Sequence, residues 1–200
     1  MATAPRTRLD PEARRAQLVE LGLQMLSTRP LDQVAIDDIA ARAGISRGLL
    51  FHYFPTKRDF HVAVAQAAAQ ELLDRTAPDP RLPPMARLQA SVEAFVGHVT
   101  DNRDAYVAFI RGSSGGDPQM LQVYEATRSA FTERVLDELD VAVTPRLRAA
   151  VRGWVALTEE VTVDWLSRGE LARDEVVELV DDALVALVTM ALGAWPIHEG

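Results

Sequence analysis

Residues 36–60 read IDDIAARAGISRGLLFHYFPTKRDF. Ile36, Ile39, Ala40 and Ala43 recur on one face of a short helix. Gly44 follows, where a helix commonly ends in a left-handed residue. Ser46 is a natural cap for a second helix, whose apolar side is Leu49, Leu50 and Phe54. Pro55 interrupts, and Thr56 can cap a further helix from about residue 57 to 75. The stretch is therefore helix, glycine turn, helix. A turn this short makes the two helices cross, and Ile39, Ala40, Ile45 and Leu50 can close the small core between them. Arg47, Gly48, Leu49, His52 and Tyr53 remain outward, on a helix that can enter a DNA major groove. Gly48 lowers helix propensity but lets the backbone approach base edges. Ser46 and the free amides of the first turn suit a phosphate oxygen, and Lys57 offers a second phosphate contact.

Upstream, Asp10-Pro11 is a cap followed by proline at the first helical position. Leu18, Leu21, Gly22, Met25 and Leu26 then form one apolar face, and Arg29-Pro30 ends the helix. Downstream, residues 76–84 (TAPDPRLPP) hold four prolines and read as a linker. Five more helical patterns lie near 85–100, 102–111, 118–140, 145–168 and 172–195, separated by polar or Gly/Pro-rich breaks. Strand alternation bounded by hairpin turns is absent, so the fold class is all-α. The expected organisation is a DNA-binding unit over 1–60, a connecting helix over about 56–76, and a helical domain over 77–200.

Net charge is −8, unevenly spread. Residues 1–60 carry nine Arg/Lys against seven Asp/Glu; the remainder carries twelve against twenty-two. Arg6, Arg8, Arg14 and Arg15 crowd the front. A phosphate backbone would attract that end and repel the other. Cysteine is absent, the N-terminus lacks the apolar stretch of a secretory signal, and no run reaches membrane-spanning length. A cytoplasmic protein without a membrane partner is expected. Four histidines (His52, His61, His98, His198) lack metal-ligand spacing, and Gly112 to Gly116 follow no strand as a nucleophile elbow would. Neither an enzyme nor a metal or other cofactor is expected.

The last two helices carry apolar faces too wide for a surface helix. In 172–195, Val176, Val180, Ala183, Leu184, Leu187, Ala191 and Trp195 make one stripe, widened by Val177, Val188 and Leu192. In 145–168, Val151, Trp154, Val155, Val161, Trp165 and Leu166 do the same. Such helices either sit centrally in one protomer or build a four-helix bundle between two.

The pairs Ile39-Ala40, Ala43-Gly44, Ser46, Leu50-Phe51 and the run Tyr53-Phe54-Pro55-Thr56-Lys57 resemble the signature of TetR-type (tetracycline-repressor-like) regulators. The detailed resemblance covers roughly residues 10–75. It implies a homodimeric regulator, most simply a repressor, on a palindromic double-stranded DNA operator, with a small and largely apolar effector bound by the rear domain. Arg47, Gly48, Leu49 and Tyr53 match base-facing positions; Ser46, Phe51, His52 and Lys57 match backbone-facing ones; Arg42 can reach either. Two positions depart from the pattern. Ala35 stands where a capping Thr or Ser is usual, with Asp32 as a substitute cap, and Phe51 stands for a Tyr, losing one phosphate bond. These losses leave open a helical adaptor with a degenerate DNA-binding unit. Effector candidates are Phe95, His98, Tyr106, Phe109, Tyr124, Phe131, Trp154 and Thr158, with Glu159, Glu160 and Asp164 as polar intruders. The dimer implied by the resemblance would use Val161, Trp165, Leu184, Val188, Ala191 and Trp195.

Overall fold

The computed structural model describes residues 10–26, 30–113 and 117–196, with the side chains of 111–113 excepted. Arg6, Arg8, Arg29, His198 and the segment 114–116 lie outside the described residues. Among those described there are nine α-helices and no strand. They are α1 (Pro11–Leu26), α2 (Ile36–Ala43), α3 (Arg47–Tyr53), α4 (Lys57–Arg75), α5 (Pro84–Asp101), α6 (Arg103–Ser113), α7 (Pro118–Leu139), α8 (Pro145–Arg168) and α9 (Arg173–Leu192). None of the described helices is long and apolar enough to cross a membrane.

Short-range chemistry sets the helix ends. Asp10 Oδ1 accepts from the Ala13 amide at 2.8 Å, and Asp117 accepts from those of Gln119 and Met120. Thr56 and Asp59 cap each other, side chain to amide in both directions, at 3.1 and 2.9 Å. Pro84, Pro118 and Pro145 each open a helix, where a missing amide proton costs nothing. Ala35 stands at the N-cap of α2 and supplies no side-chain bond. Asp32, in a 3-10 turn just before, makes no cap: its backbone carbonyl accepts from Lys57 Nζ at 3.2 Å.

Packing divides the chain into two units, Met1–Ala68 and Ala69–Gly200. The first closes on Leu18, Met25, Val34, Ile39, Leu50, Phe54, Phe60 and Val64. Phe54 meets Phe60 edge to face at 5.2 Å, and the Arg15 guanidinium lies 4.9 Å over Phe54. His61 Nε2 lies 3.1 Å from the Val34 carbonyl oxygen, and burial lowers its pKa. At Gly22, α1 comes close to Phe60 and Val64 of α4. A Cβ there would fall 2.5 Å from Val64 Cγ2 and 3.0 Å from Phe60 Cζ. Val64 is β-branched and stiff in a helix, so it cannot turn aside freely. Gly22→Ala should therefore destabilise the protein by about 1 kcal/mol, overpacking outweighing the helix propensity gained. A urea melt showing an unchanged or higher midpoint would refute this crowding.

In the second unit α8 and α9 share the largest interface, with α7 against α8 and α5 against α9. Its core includes Val96, Val99, Leu136, Leu147, Val151, Trp154, Val180, Leu184 and Val188. The proline-rich segment 76–84 belongs to this unit, and the packing boundary falls earlier, inside α4. The C-terminal turn of α4 explains why. Thr76 is buried and donates to the Leu72 carbonyl at 2.7 Å, while Arg134 of α7 donates to the Leu73 carbonyl at 2.6 Å.

Asp181 of α9 is half-buried near Glu93 of α5. Burial, then the charges of Glu93 and Asp182, push its pKa up to about 6. A carboxyl whose pKa is raised in the folded state favours folding at low pH and loses that contribution as pH rises through 6. Asp181→Asn should accordingly raise Tm at pH 8, by a stability gain of about 1 kcal/mol after solvent screening. At pH 4 it should be nearly neutral. Equal shifts at both pH values would count against the assignment.

Candidate nucleic-acid interface and effector site

The α2–α3 turn is built from the backbone outward. Gly44 adopts φ 65°, and the Ile45 amide returns to the Ala40 carbonyl at 3.0 Å, closing α2. Ser46 then leaves the chain extended, and its Oγ accepts from the Leu49 amide at 3.2 Å, starting α3. With the start fixed, the helical period decides which side is buried. Leu50 and Phe54 turn inward and are fully buried. Arg42, Ser46, Arg47, Gly48, Leu49, His52 and Lys57 are exposed, and Phe51 and Tyr53 are half-buried. Leu49, a large apolar side chain, is 40% exposed on α3.

Arg47 is held in place before any partner arrives. Its Nη1 lies 3.0 and 3.2 Å from the two carboxylate oxygens of Asp37, and its guanidinium sits 5.5 Å from the Phe51 ring centroid. His52 and Tyr53 meet edge to face at 5.5 Å. At Gly48 the nearest atom to an added Cβ is Ser46 Oγ, 4.0 Å away, so packing within the unit does not require glycine there.

The effector candidates separate into groups. Phe95 of α5 makes edge contacts with Tyr106 of α6 at 5.8 Å and with Phe131 of α7 at 6.1 Å. Phe109 faces Tyr124 at 6.4 Å, and the Tyr124 hydroxyl donates to Glu159 Oε2 at 2.9 Å. Burial raises the Tyr106 pKa well above its ordinary value, with lesser contributions from Glu159 and Tyr124. Burial and the Glu159 bond push Tyr124 up to about 12. Trp154 stands apart: it is buried, and its Nε1 donates to the Val180 carbonyl of α9 at 2.8 Å. Thr158 is buried and bonds the Trp154 carbonyl at 3.0 Å. His98, on α5, has its pKa lowered by burial.

The residues expected at a dimer interface also separate. Leu184 and Val188, at 3% and 0% exposure, fill the protomer's own core and present no outer surface. Val161, Trp165, Ala191 and Trp195 are half-buried at the margin of that core. The outer stripe of α9 is instead Leu179, Ala183, Ala186 and Met190, with Leu179 46% and Met190 63% exposed. Beside it a groove of about 390 Å³ is lined by Val161, Trp165, Leu171 and Leu179, with Glu160, Asp164 and Arg168 among its polar residues.

Residues 18–64 match the family model described as "Bacterial regulatory proteins, tetR family". Residues 84–187, more than half the chain, match "Tetracyclin repressor-like, C-terminal domain". The chain belongs to the TetR family. A solved tetR-family transcriptional regulator from Streptomyces coelicolor is 32% identical, with a TM-score of 0.82 over 92% of this chain and 84% of its own. The transcriptional activator FasR of Mycolicibacterium smegmatis is 28% identical over 181 residues, covering 86% of this chain and 81% of the relative. The transcriptional repressor KstR2 of the same organism is 27% identical over 186 residues, 90% and 80% of the two chains. This TetR-family member is thus a DNA-binding transcriptional regulator, and the matched N-terminal segment contains the whole α2–α3 unit.

Sequence reasoning passed over Arg128 in this TetR-family chain. Its Nε lies 3.3 Å from Glu159 Oε2, and its guanidinium sits 5.3 Å over the Tyr124 ring. The i, i+4 spacing of Tyr124 and Arg128 could have revealed that they share a face. Their partner Glu159 lies too far along the chain for any local pattern to indicate.

Proposed function

We propose that the protein is a ligand-responsive repressor that binds a palindromic operator as a homodimer and is released by a small, largely apolar effector. The observation that carries the reading is α3: anchored inward by Leu50 and Phe54, it leaves Arg47, Gly48, Leu49 and His52 exposed together. A helix held from behind and polar in front can lie in a major groove with its N-terminal residues on base edges. Arg47 would read guanine through its two-pronged guanidinium, and Leu49 would pack on a thymine methyl. Ser46, Arg42, His52 and Lys57 would hold the backbone. Tyr53 and Phe51 flank that surface. In this reading the outer faces of α8 and α9 meet their copies in a four-helix bundle, and Phe95, Tyr106, Phe109 and Tyr124 border the effector site. An effector that prefers one arrangement of the dimer shifts the population between DNA-competent and incompetent forms.

The test is selection of bound fragments from random DNA, then anisotropy titration of the enriched duplex at several salt concentrations. An inverted repeat whose half-sites lie about 34–36 Å apart, bound with a steep negative salt slope, is expected. A folded dimer that enriches nothing, with or without cell extract, would overturn the regulator's DNA reading in favour of an adaptor.

A further inference from the structure

Two buried polar atoms of the second unit make no hydrogen bond among the described residues. Thr162 is fully buried, and its Oγ1 has no hydrogen-bond partner among the described residues. Arg128 Nε is buried near Glu159, yet its N–H makes no hydrogen bond there. Tyr106 is half-buried against Phe95, and burial is the largest cause of its raised pKa. Around it, residues 105–110 of α6 (AYVAFI) are nearly all apolar, and none is fully buried. Phe109 makes an edge contact with Tyr124. Clustered aromatic rings with an unspent guanidinium donor beside them are the chemistry that an apolar ligand carrying an acceptor would meet.

We propose that this site takes an apolar molecule with a carboxylate head, and that the head replaces Glu159 as the partner of Arg128. This rests on the effector reading given above and specifies the effector's chemistry. The asymmetry of the ion pair sets the sign. Arg128 cannot give up its proton, so it must always have an anionic neighbour. Glu159 can be neutralised, and burial already raises its pKa, against the opposing effects of Tyr124 and Arg128. The groups around it are Tyr106 from α6, Tyr124, Glu125 and Arg128 from α7, and Arg152 from α8. Glu125 pairs with Arg152 and stands at 3.8 Å from Arg128 Nη1, farther than Glu159, which lies 3.3 Å from Arg128 Nε. An arriving carboxylate therefore brings one proton with it, which settles on Glu159 and keeps the site neutral. A cationic ligand would have to expel the guanidinium from the Tyr124 ring and strand it in the interior.

The experiment uses the full-length protein and three chemically matched probes, decanoate, 1-decanol and decylamine, followed by calorimetry at pH 6, 7 and 8. Decanoate should bind at least tenfold more tightly than either analogue, weakening up to tenfold per pH unit as one proton is taken up. Arg128→Gln should abolish the preference for the acid over the alcohol. Glu159→Gln should keep decanoate binding and lose its pH dependence. The proposal is overturned if decylamine binds best, if none of the three binds, or if Glu159→Gln leaves the pH slope intact. Operator binding by the same preparation is measured separately. If the acid binds with this signature but leaves DNA binding unchanged, the ligand class stands and the release mechanism fails.

Discussion

Arg47→Ala should lower affinity for the selected operator by about thirtyfold or more, while affinity for unrelated duplex falls only slightly. One two-pronged arginine–guanine contact discriminates by about 1–3 kcal/mol, and each dimer would lose two. The cost of freeing Arg47 is small. Its bond to Asp37 joins two side chains more than 60% exposed, and such pairs contribute about 0–1 kcal/mol. Asp37 thus holds the guanidinium outward at the front of α3 and releases it cheaply. Asp37→Asn should consequently tighten binding to all DNA alike by removing a negative charge near the phosphates. Anisotropy with operator and scrambled duplexes at one salt concentration measures both variants. An equal loss on the two duplexes for Arg47→Ala would make Arg47 a backbone contact and overturn its role as base reader.

Leu179→Glu combined with Met190→Glu should convert the proposed dimer to monomers and weaken operator binding by more than about a hundredfold. The two side chains lie on one outer stripe of α9, with Ala183 and Ala186 between them, beside the groove holding Val161 and Trp165. A two-fold interface would bring four added carboxylates together, and burying unpaired charge costs several kcal/mol. A monomer retains one half-site's contacts and loses the gain from linking two. Sedimentation velocity reports the assembly state. As a control, Leu121→Glu on α7, where the side chain is 45% exposed, should leave the dimer intact. A double variant that still sediments as a dimer would place the interface elsewhere.

The first unit was readable because its signals are short-range. Asp10, Gly44, Ser46 and Thr56 each act within four residues, and each does in the structure what its type suggests. Leu50 and Phe54 then fall inward by helical period alone. Further along, local pattern loses its phase. A helix apolar nearly all round does not reveal which stripe its own protomer covers, so the pattern alone places Leu184 and Val188 at an interface although they fill the core. Trp154 was grouped with an effector site by its type, but its indole finds a carbonyl 26 residues away. Arg128 was missed because Glu159, 31 positions on, gives it meaning. The proline-rich segment 76–84 announced the end of a helix correctly. It could not announce that Arg134 builds that helix end into the second unit.

The point where the two units divide, between Ala68 and Ala69, lies within the run Ala67-Ala68-Ala69 in the middle of α4. Alanine is the strongest helix former, so this stretch favours helix by itself. Its phase is also quantised. One alanine inserted there would turn the remainder of α4 by about 100° and advance it about 1.5 Å, whereas four would come back nearly into register. Swapping the DNA-reading head onto another sensor of this family is therefore a matter of keeping count along α4. A chimera joined in the prolines would be cut on the wrong side of the shaft.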